Sequence, residues 1–345
     1  MPRSLLASCL LAPSFLLAAS CTEPGDLGSD ERPVLGSGGC PLWGCTGNSS
    51  TIGPYESHDL DLDGAVNDQG VRIESTRLGQ APVTVKVKRD QLYAIDANGN
   101  VLSGAQLTGL TFVLSTPTDR YRLIITHVSP KATSGTRFWL GNPDRVETYE
   151  LKFTNDDHPA DLRPVCANPP AESDPAGQLW ANRFESVVFT GDRYDGAKKL
   201  VTAADYASAG NWINLGCAGS VIAKLHLNRH TMAGSDRDHQ TKLEQRQAML
   251  KMYTGDFCGK GYAFTRPGTP LHWEDELGWN KLDGTEIAFE SWWDEHGASC
   301  ITTHRIDDTY LLDIQRACDL PACEGHPFPL VWDTRARFKT AIPHP

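Results

Sequence analysis

After its first twenty residues the chain has no apolar run approaching the ~20 residues that a membrane-spanning helix requires, so no spanning segment is expected. Positive charge is also scarce. Lys and Arg number 32 against 43 Asp and Glu, a net charge of -11, whereas a phosphate-binding surface needs a basic excess; nucleic acid is therefore not an expected partner. Three catalytic fingerprints are missing: the GxSxG nucleophile elbow, the GxxxxGK phosphate loop and the GxGxxG dinucleotide turn. Their absence lowers the expectation of an enzyme, and no cofactor or bound metal is anticipated.

The sequence does carry an address. MPRSLLASCLLAPSFLLAAS, residues 1–20, has one cation at Arg3 followed by a short apolar run, the pattern of a secretory signal peptide. Leu17, Ala18, Ala19 and Ser20 ahead of Cys21 resemble the lipobox of bacterial lipoproteins, which implies acylation of Cys21 and a membrane contact through that lipid. Leu6, Ala7, Ser8 and Cys9 form a second copy, too near the start for enough apolar chain to precede it. Thr22 replaces the Asp that marks inner-membrane retention in such proteins, so the resemblance implies an outer-membrane lipoprotein, periplasmic or surface-exposed.

The cysteine count agrees. Of 10 cysteines, Cys9 would leave with the signal and Cys21 would be committed to lipid. Cys40, Cys45, Cys166, Cys217, Cys258, Cys300, Cys318 and Cys323 remain, an even set suited to disulfides in an oxidising compartment.

Composition then divides the mature chain. Residues 21–50 form a lipidated tether rich in Gly, Pro, Ser and acid, with little to bury. Residues 51–160 read as an antiparallel β domain. VTVKVK (83–88), YRLIIT (121–126) and ETYELKF (147–153) have strand character, and the AsnGly of Asp96–Gly99 supplies a hairpin turn. A Pro and acid stretch, CANPPAESDPAG (166–177), marks a join. Residues 161–345 are expected to form a disulfide-stapled α+β domain around an antiparallel helical hairpin, with helices over 217–230 and 241–257. In such a hairpin Cys217 stands level with Cys258, and a bridge between them is expected. Cys318 then pairs locally with Cys323, leaving Cys166 for Cys300 if Cys40 takes Cys45, although other connectivities stay open.

GDFCGKGYAFTRPGTPLHWED, with NLGCAGSVIAK upstream and FESWWDEHGASC downstream, resembles the ADYC domain of myxobacterial and related secreted proteins over roughly 166–323. Gly255 and Phe257 replace the Ala and Tyr of the signature, while Asp256 and Cys258 stand; AADY at 203–206 has no cysteine after it. CPLWGC followed by HDLDLDGAVNDQG is similar to the front end of myxobacterial lipoproteins. Members with two further cysteines carry them at positions matching Leu225 and Met249, which implies a second, dispensable bridge between the same helices. The resemblance implies no particular activity.

Four chemistries remain to be placed. Cys217 with His226 or His230 has the residue types of a thiol hydrolase, but an exported thiol among so many others is better read as oxidised. His226 and His230 have the HxxxH spacing of two zinc ligands, with His239 a third candidate; Leu227 stands where a zincin has its Glu, and a solvated basic face is the plainer reading. DLDLDGAVNDQG (59–70) begins like a calcium loop with Asp59, Asp61 and Asp63, yet Gly70 occupies the twelfth position where Glu is required, favouring a strand and turn. Seven of nine tryptophans follow residue 170, with Trp273, Trp279, Trp292 and Trp293 beside acids, a pattern that suits either core packing or a glycan platform. The expected function is a non-enzymatic envelope lipoprotein that binds or scaffolds a glycan or protein partner. The alternative is a hydrolase acting on cell-wall material or glycans.

Overall fold

The computed structural model describes residues 50–88, 90–129, 146–166, 184–195, 200–203, 211–218, 220–231, 241–261, 271–278, 287–302, 318–323 and 332–343. The signal segment, Cys21 with the tether, Cys40, Cys45, His239 and Trp279 lie outside the described residues.

The elements run in the order β1 (Thr51–Ile52), β2 (Tyr55–Glu56), β3 (Asp59–Asp61), β4 (Arg72–Leu78), β5 (Ala81–Pro82), β6 (Thr84–Lys88), β7 (Gln91–Ile95) and β8 (Val101–Ser103). A 3-10 turn (Gly104–Leu107) leads into β9 (Leu110–Ser115), β10 (Arg120–Ser129), β11 (Thr148–Asn155), β12 (Arg163–Pro164), β13 (Glu185–Thr190) and β14 (Trp212–Cys217). Then come α1 (Val221–Leu227), α2 (Leu243–Thr254), β15 (His272–Asp275), β16 (Ile287–Asp294), β17 (Gly297–Ala298) and β18 (Phe338–Pro343).

One sheet dominates, with strand order β3-β14-β13-β11-β10-β9-β4-β5 and β12 attached to β11; the smaller sheets are β1-β2, β6-β7-β8 and β15-β18-β16-β17. The strands read from alternation are present as β6, β10 and β11, and the AsnGly turn joins β7 to β8 with Gly99 at φ 82°. Asp96 holds that turn by accepting the N–H groups of Asn98 and Asn100 at 2.9 and 2.8 Å.

The sheet does not stop at the join expected at 166–177. β13 pairs with β11, β14 with β13, and β3 returns to pair with β14, so strands from both sides of the join share one hydrogen-bonded ladder. β13 divides two apolar clusters. Val187 and Phe189 face the cluster that holds both helices, Trp293 and Phe338, while Val188 between them faces the cluster of β9, β10 and β11. A strand buried on both faces needs the unbroken apolar run Val187, Val188, Phe189 instead of alternation.

The chain is therefore a mainly β fold, and the helical-hairpin domain is corrected. The two helices are short and lean on sheets. The amphipathic stretch begins within WINLGC, whose residues are all buried and enter β14, pairing Ser186 with Cys217. Helix α1 starts only where Ser220 caps it, its side chain accepting the Ala223 N–H at 3.2 Å. At Gly216 any β-carbon would lie 2.9 Å from the Ala223 nitrogen, so the missing side chain lets α1 lie directly on β14. The helix ends after two turns: Arg229 takes φ 65° and the His230 N–H bonds back to the Leu225 carbonyl at 2.9 Å.

With Cys217 on a strand, the levelling of facing helix positions does not reach it. Cys217 is bonded to Cys166, Cys258 to Cys318 and Cys300 to Cys323, with Cα separations of 5.5, 5.3 and 5.2 Å, all inside the usual disulfide range. The expected pairs Cys217–Cys258, Cys318–Cys323 and Cys166–Cys300 are corrected accordingly. Leu225 and Met249 are both fully buried in the cluster around the helices.

Candidate functional site

The thiol and histidine candidates are taken up by the core. Cys217 is in a disulfide and not at a helix N-terminus. His226 is fully buried, stacked on Phe189 with ring centroids 3.9 Å apart and planes 7° from parallel. Its Nε2 lies 3.0 Å from Asp90 Oδ1 and its Nδ1 3.2 Å from the Thr231 hydroxyl. Asp90 reaches it from the turn between β6 and β7, where it adopts φ 58°. His230 turns elsewhere, with Nδ1 2.6 Å from the Asn228 carbonyl and its ring against Trp273 and Phe338. Burial pushes the His230 imidazole down to about 4, against the opposing pull of Asp275. The left-handed Arg229 between the two histidines breaks the i, i+4 geometry, so they do not face one ion. Among the described residues no group of three or more metal-ligating side chains is found.

The acidic stretch 59–70 is a strand and turn. Leu60 is buried in the core while Asp59 and Asp61 alternate with it in β3, paired to β14. Asp61 accepts the N–H groups of Asp63 and Ala65 at 2.8 and 3.1 Å, closing its own turn. The Asn67 amide donates to the Asp59 carbonyl at 3.0 Å and its oxygen accepts from Gln69 and Val71. Asp59 itself is raised by burial, which His58 and Arg193 oppose. The Asp61 and Asn67 side chains thus hold their own backbone, while the Asp59 carboxylate faces Arg193 at 3.5 Å.

The signature GDFC is a structural corner. Gly255 ends α2 in the left-handed conformation at φ 63°. Asp256 turns back to pair with Lys251 and accepts the Gly261 N–H at 2.9 Å. Phe257 packs on Trp293, with centroids 4.9 Å apart, and its carbonyl accepts the Ala298 N–H at 2.9 Å. Cys258 then fixes the corner to Cys318.

The outer face of the four-stranded sheet has a different character. Across β15, β18 and β16 the register aligns Glu274, Lys339 and Trp292 in one row, with Asp275, Phe338 and Trp293 in the next row on the opposite, buried face. β16 carries a bulge between Phe289 and Ser291. The extra residue brings Phe289 and Trp292, an odd number of positions apart, onto the same face, with centroids 5.7 Å apart. Trp332, entering just before β18, meets Trp292 edge to face at 5.2 Å and is locked by its indole N–H to the Ala336 carbonyl at 3.0 Å. The Lys339 ammonium lies 5.9 and 5.4 Å from these two indoles and 3.3 Å from Glu274. Beside Trp292 opens a pocket of about 110 Å³, reached by Asp294, Ser299, Asp333 and Arg335. The Arg335 guanidinium holds the Asp333 carboxyl below the usual carboxylate range.

The ADYC domain family matches residues 104–307, more than half of the chain. The chain belongs to that family. No curated protein and no solved structure matches it. The ADYC match begins at the 3-10 turn before β9, well upstream of the 166 suggested by the motifs, and so includes most of the central sheet together with both helices and β16. β18 and Trp332 lie beyond it, so one side of the aromatic face comes from outside the matched ADYC segment. Trp292 was legible from sequence, while Phe289, Trp332, Lys339 and Arg335 were not. For Trp332, Arg335 and Lys339 the available signal was an isolated indole in VWDTRARFKTAI, ahead of a short alternating run, and for Phe289 only its place in AFESWW just before Trp292.

Proposed function

We propose that this ADYC protein is an envelope lipoprotein, anchored through an acylated Cys21, that binds or scaffolds a partner without chemistry of its own. The outer face around Trp292 and Trp332 is its contact surface. The observation that carries this reading is the contrast between two sets of residues. His226 and His230 are wholly buried and Cys217 is bridged, whereas Trp292, Trp332 and Arg335 reach solvent beside an open pocket. A hydrolase would need a polar reactive group at the surface of a cleft, and the thiol and histidines that suggested one face the core. Preformed aromatic side chains rimmed by charges are the composition of a recognition surface.

The anchor and the surface are tested separately. Mass spectrometry of the membrane-extracted protein should find Cys21 as the acylated first residue; an unmodified N-terminus elsewhere would remove the lipoprotein half. A pull-down from envelope extracts with the full chain should lose its specific partner on Trp332→Ala. Retention of every captured component would remove the assigned surface.

A further inference from the structure

We infer that the pocket beside Trp292 is a sugar subsite, taking one ring of a neutral glycan whose neighbouring rings lie along the Trp292 and Trp332 faces. This rests on the binding reading above and specifies its ligand class.

Size comes first. A pocket of about 110 Å³ is well below the roughly 300–1,000 Å³ of sites for drug-sized ligands, so it holds one small ring and leaves the remainder of a longer ligand on the surface. The polar lining comes second. Asp294, Asp333 and Ser299 present acceptors and a hydroxyl, and Arg335 a set of donors, around an aromatic wall. Hydroxyl groups donate to carboxylates and accept from a guanidinium, while the apolar C–H face of a sugar ring covers an indole.

The charges decide between classes of glycan. Arg335 is bonded to Asp333, with nitrogen–oxygen distances of 3.3 and 3.1 Å, and Lys339 is paired with Glu274 at 3.3 Å. Both cations are thus already answered by a carboxylate, and Asp294 adds a further negative group. An anionic ligand such as a sulfated or sialylated chain would have to break a pair and approach an acidic rim. A cationic ligand would be repelled by Lys339, which lies beneath the same indoles. A neutral, hydroxyl-rich ligand keeps every pair and gains the stacking.

The surface is also built in advance. Trp332 is pinned through its N–H, the bulge in β16 fixes Phe289 beside Trp292, and Asp294 is held by the N–H groups of His296 and Gly297 at 2.8 and 3.2 Å. Little side-chain freedom is lost when a ring settles on it, which favours a weakly interacting ligand such as a sugar.

The test uses the full chain in detergent on an array of neutral oligosaccharides, including β-linked glucose and N-acetylglucosamine oligomers, beside sialylated and sulfated ones. Neutral chains should bind. Trp292→Ala and Trp332→Ala should weaken the best of them about tenfold or more, equivalent to about 1.4 kcal/mol, and Trp332→Phe should restore most of the loss. Ser299 is exposed, so Ser299→Trp fills the pocket without disturbing the core and should abolish binding even if Trp292→Ala fails to fold. Binding confined to sulfated or sialylated chains, neutral binding indifferent to Ser299→Trp, or a blank array would each overturn the inference. A photoreactive group placed at residue 334 separates the two levels. A blank array with specific crosslinking to envelope material removes the glycan and keeps the binding surface, whereas failure of both removes both.

Discussion

Lys251 and Asp256 form an ion pair across the end of the second helix, with both side chains almost wholly out of contact with water. A buried pair of this kind costs little while complete and much when broken, because the surviving charge has no solvent to turn to. Asp256→Asn should therefore destabilise the protein by about 3–5 kcal/mol in denaturant unfolding, and Lys251→Met with Asp256→Leu together should cost much less than either partner alone. A loss under 1 kcal/mol for Asp256→Asn would show that the pair contributes little.

The corner after this pair depends on close backbone approach. Gly259, at φ 65°, would drive a β-carbon into the carbonyl of His296, and Gly297, at φ 137°, would place one 2.5 Å from the carbonyl oxygen of Phe257. Gly278 has a similar φ of 72° but open space around it. Gly259→Ala and Gly297→Ala should each lower the melting temperature more than Gly278→Ala, which incurs only about 1 kcal/mol of backbone strain. Equal effects at all three positions would argue against tight docking of the corner.

Disulfide mapping offers a direct comparison. Non-reducing peptide digestion should recover Cys166 joined to Cys217, Cys258 to Cys318 and Cys300 to Cys323. Cys166→Ala with Cys217→Ala frees a closed loop of sequence separation 51, which by chain entropy costs about 4 kcal/mol. A peptide joining Cys217 to Cys258 would restore the helical-hairpin topology.

Two buried histidines act on stability with opposite signs. His230 titrates near 4 in the fold against 6.5 when free, so between those values the unfolded chain binds the extra proton and stability falls as pH falls. The full cost is about 3 kcal/mol, complete near pH 4. For His58, burial pulls the imidazole down but Glu56 and Asp59 outweigh it and leave it above 6.5; its contribution is complete below 6.5 and fades as pH rises through the folded value. His230→Phe should flatten the acid side of the melting profile and His58→Gln the neutral-to-alkaline side. Unchanged profiles in both variants would place the pH dependence in other groups.

Local order was legible in the chain itself. Alternation in VTVKVK, the AsnGly turn, the strand and turn of 59–70 and the corner at Asp256 and Cys258 depend on residues a few positions apart, and the fold keeps all of them. Long-range pairing was not legible. WINLGC runs into VIAKLHL, and nothing in the pattern shows where strand gives way to helix; burial of β14 against β13 and β3 decides it, and moves Cys217 from a helix to a sheet. The aromatic face is likewise a product of register. One bulged residue in β16 turns Phe289 to the side of Trp292, and β18 carries Lys339 beneath the Trp292 indole of a segment distant in sequence. Periodicity tells which side chains avoid water, but the partners that cover them are chosen by the packing of segments far apart in sequence, where a shift of one residue reverses every face.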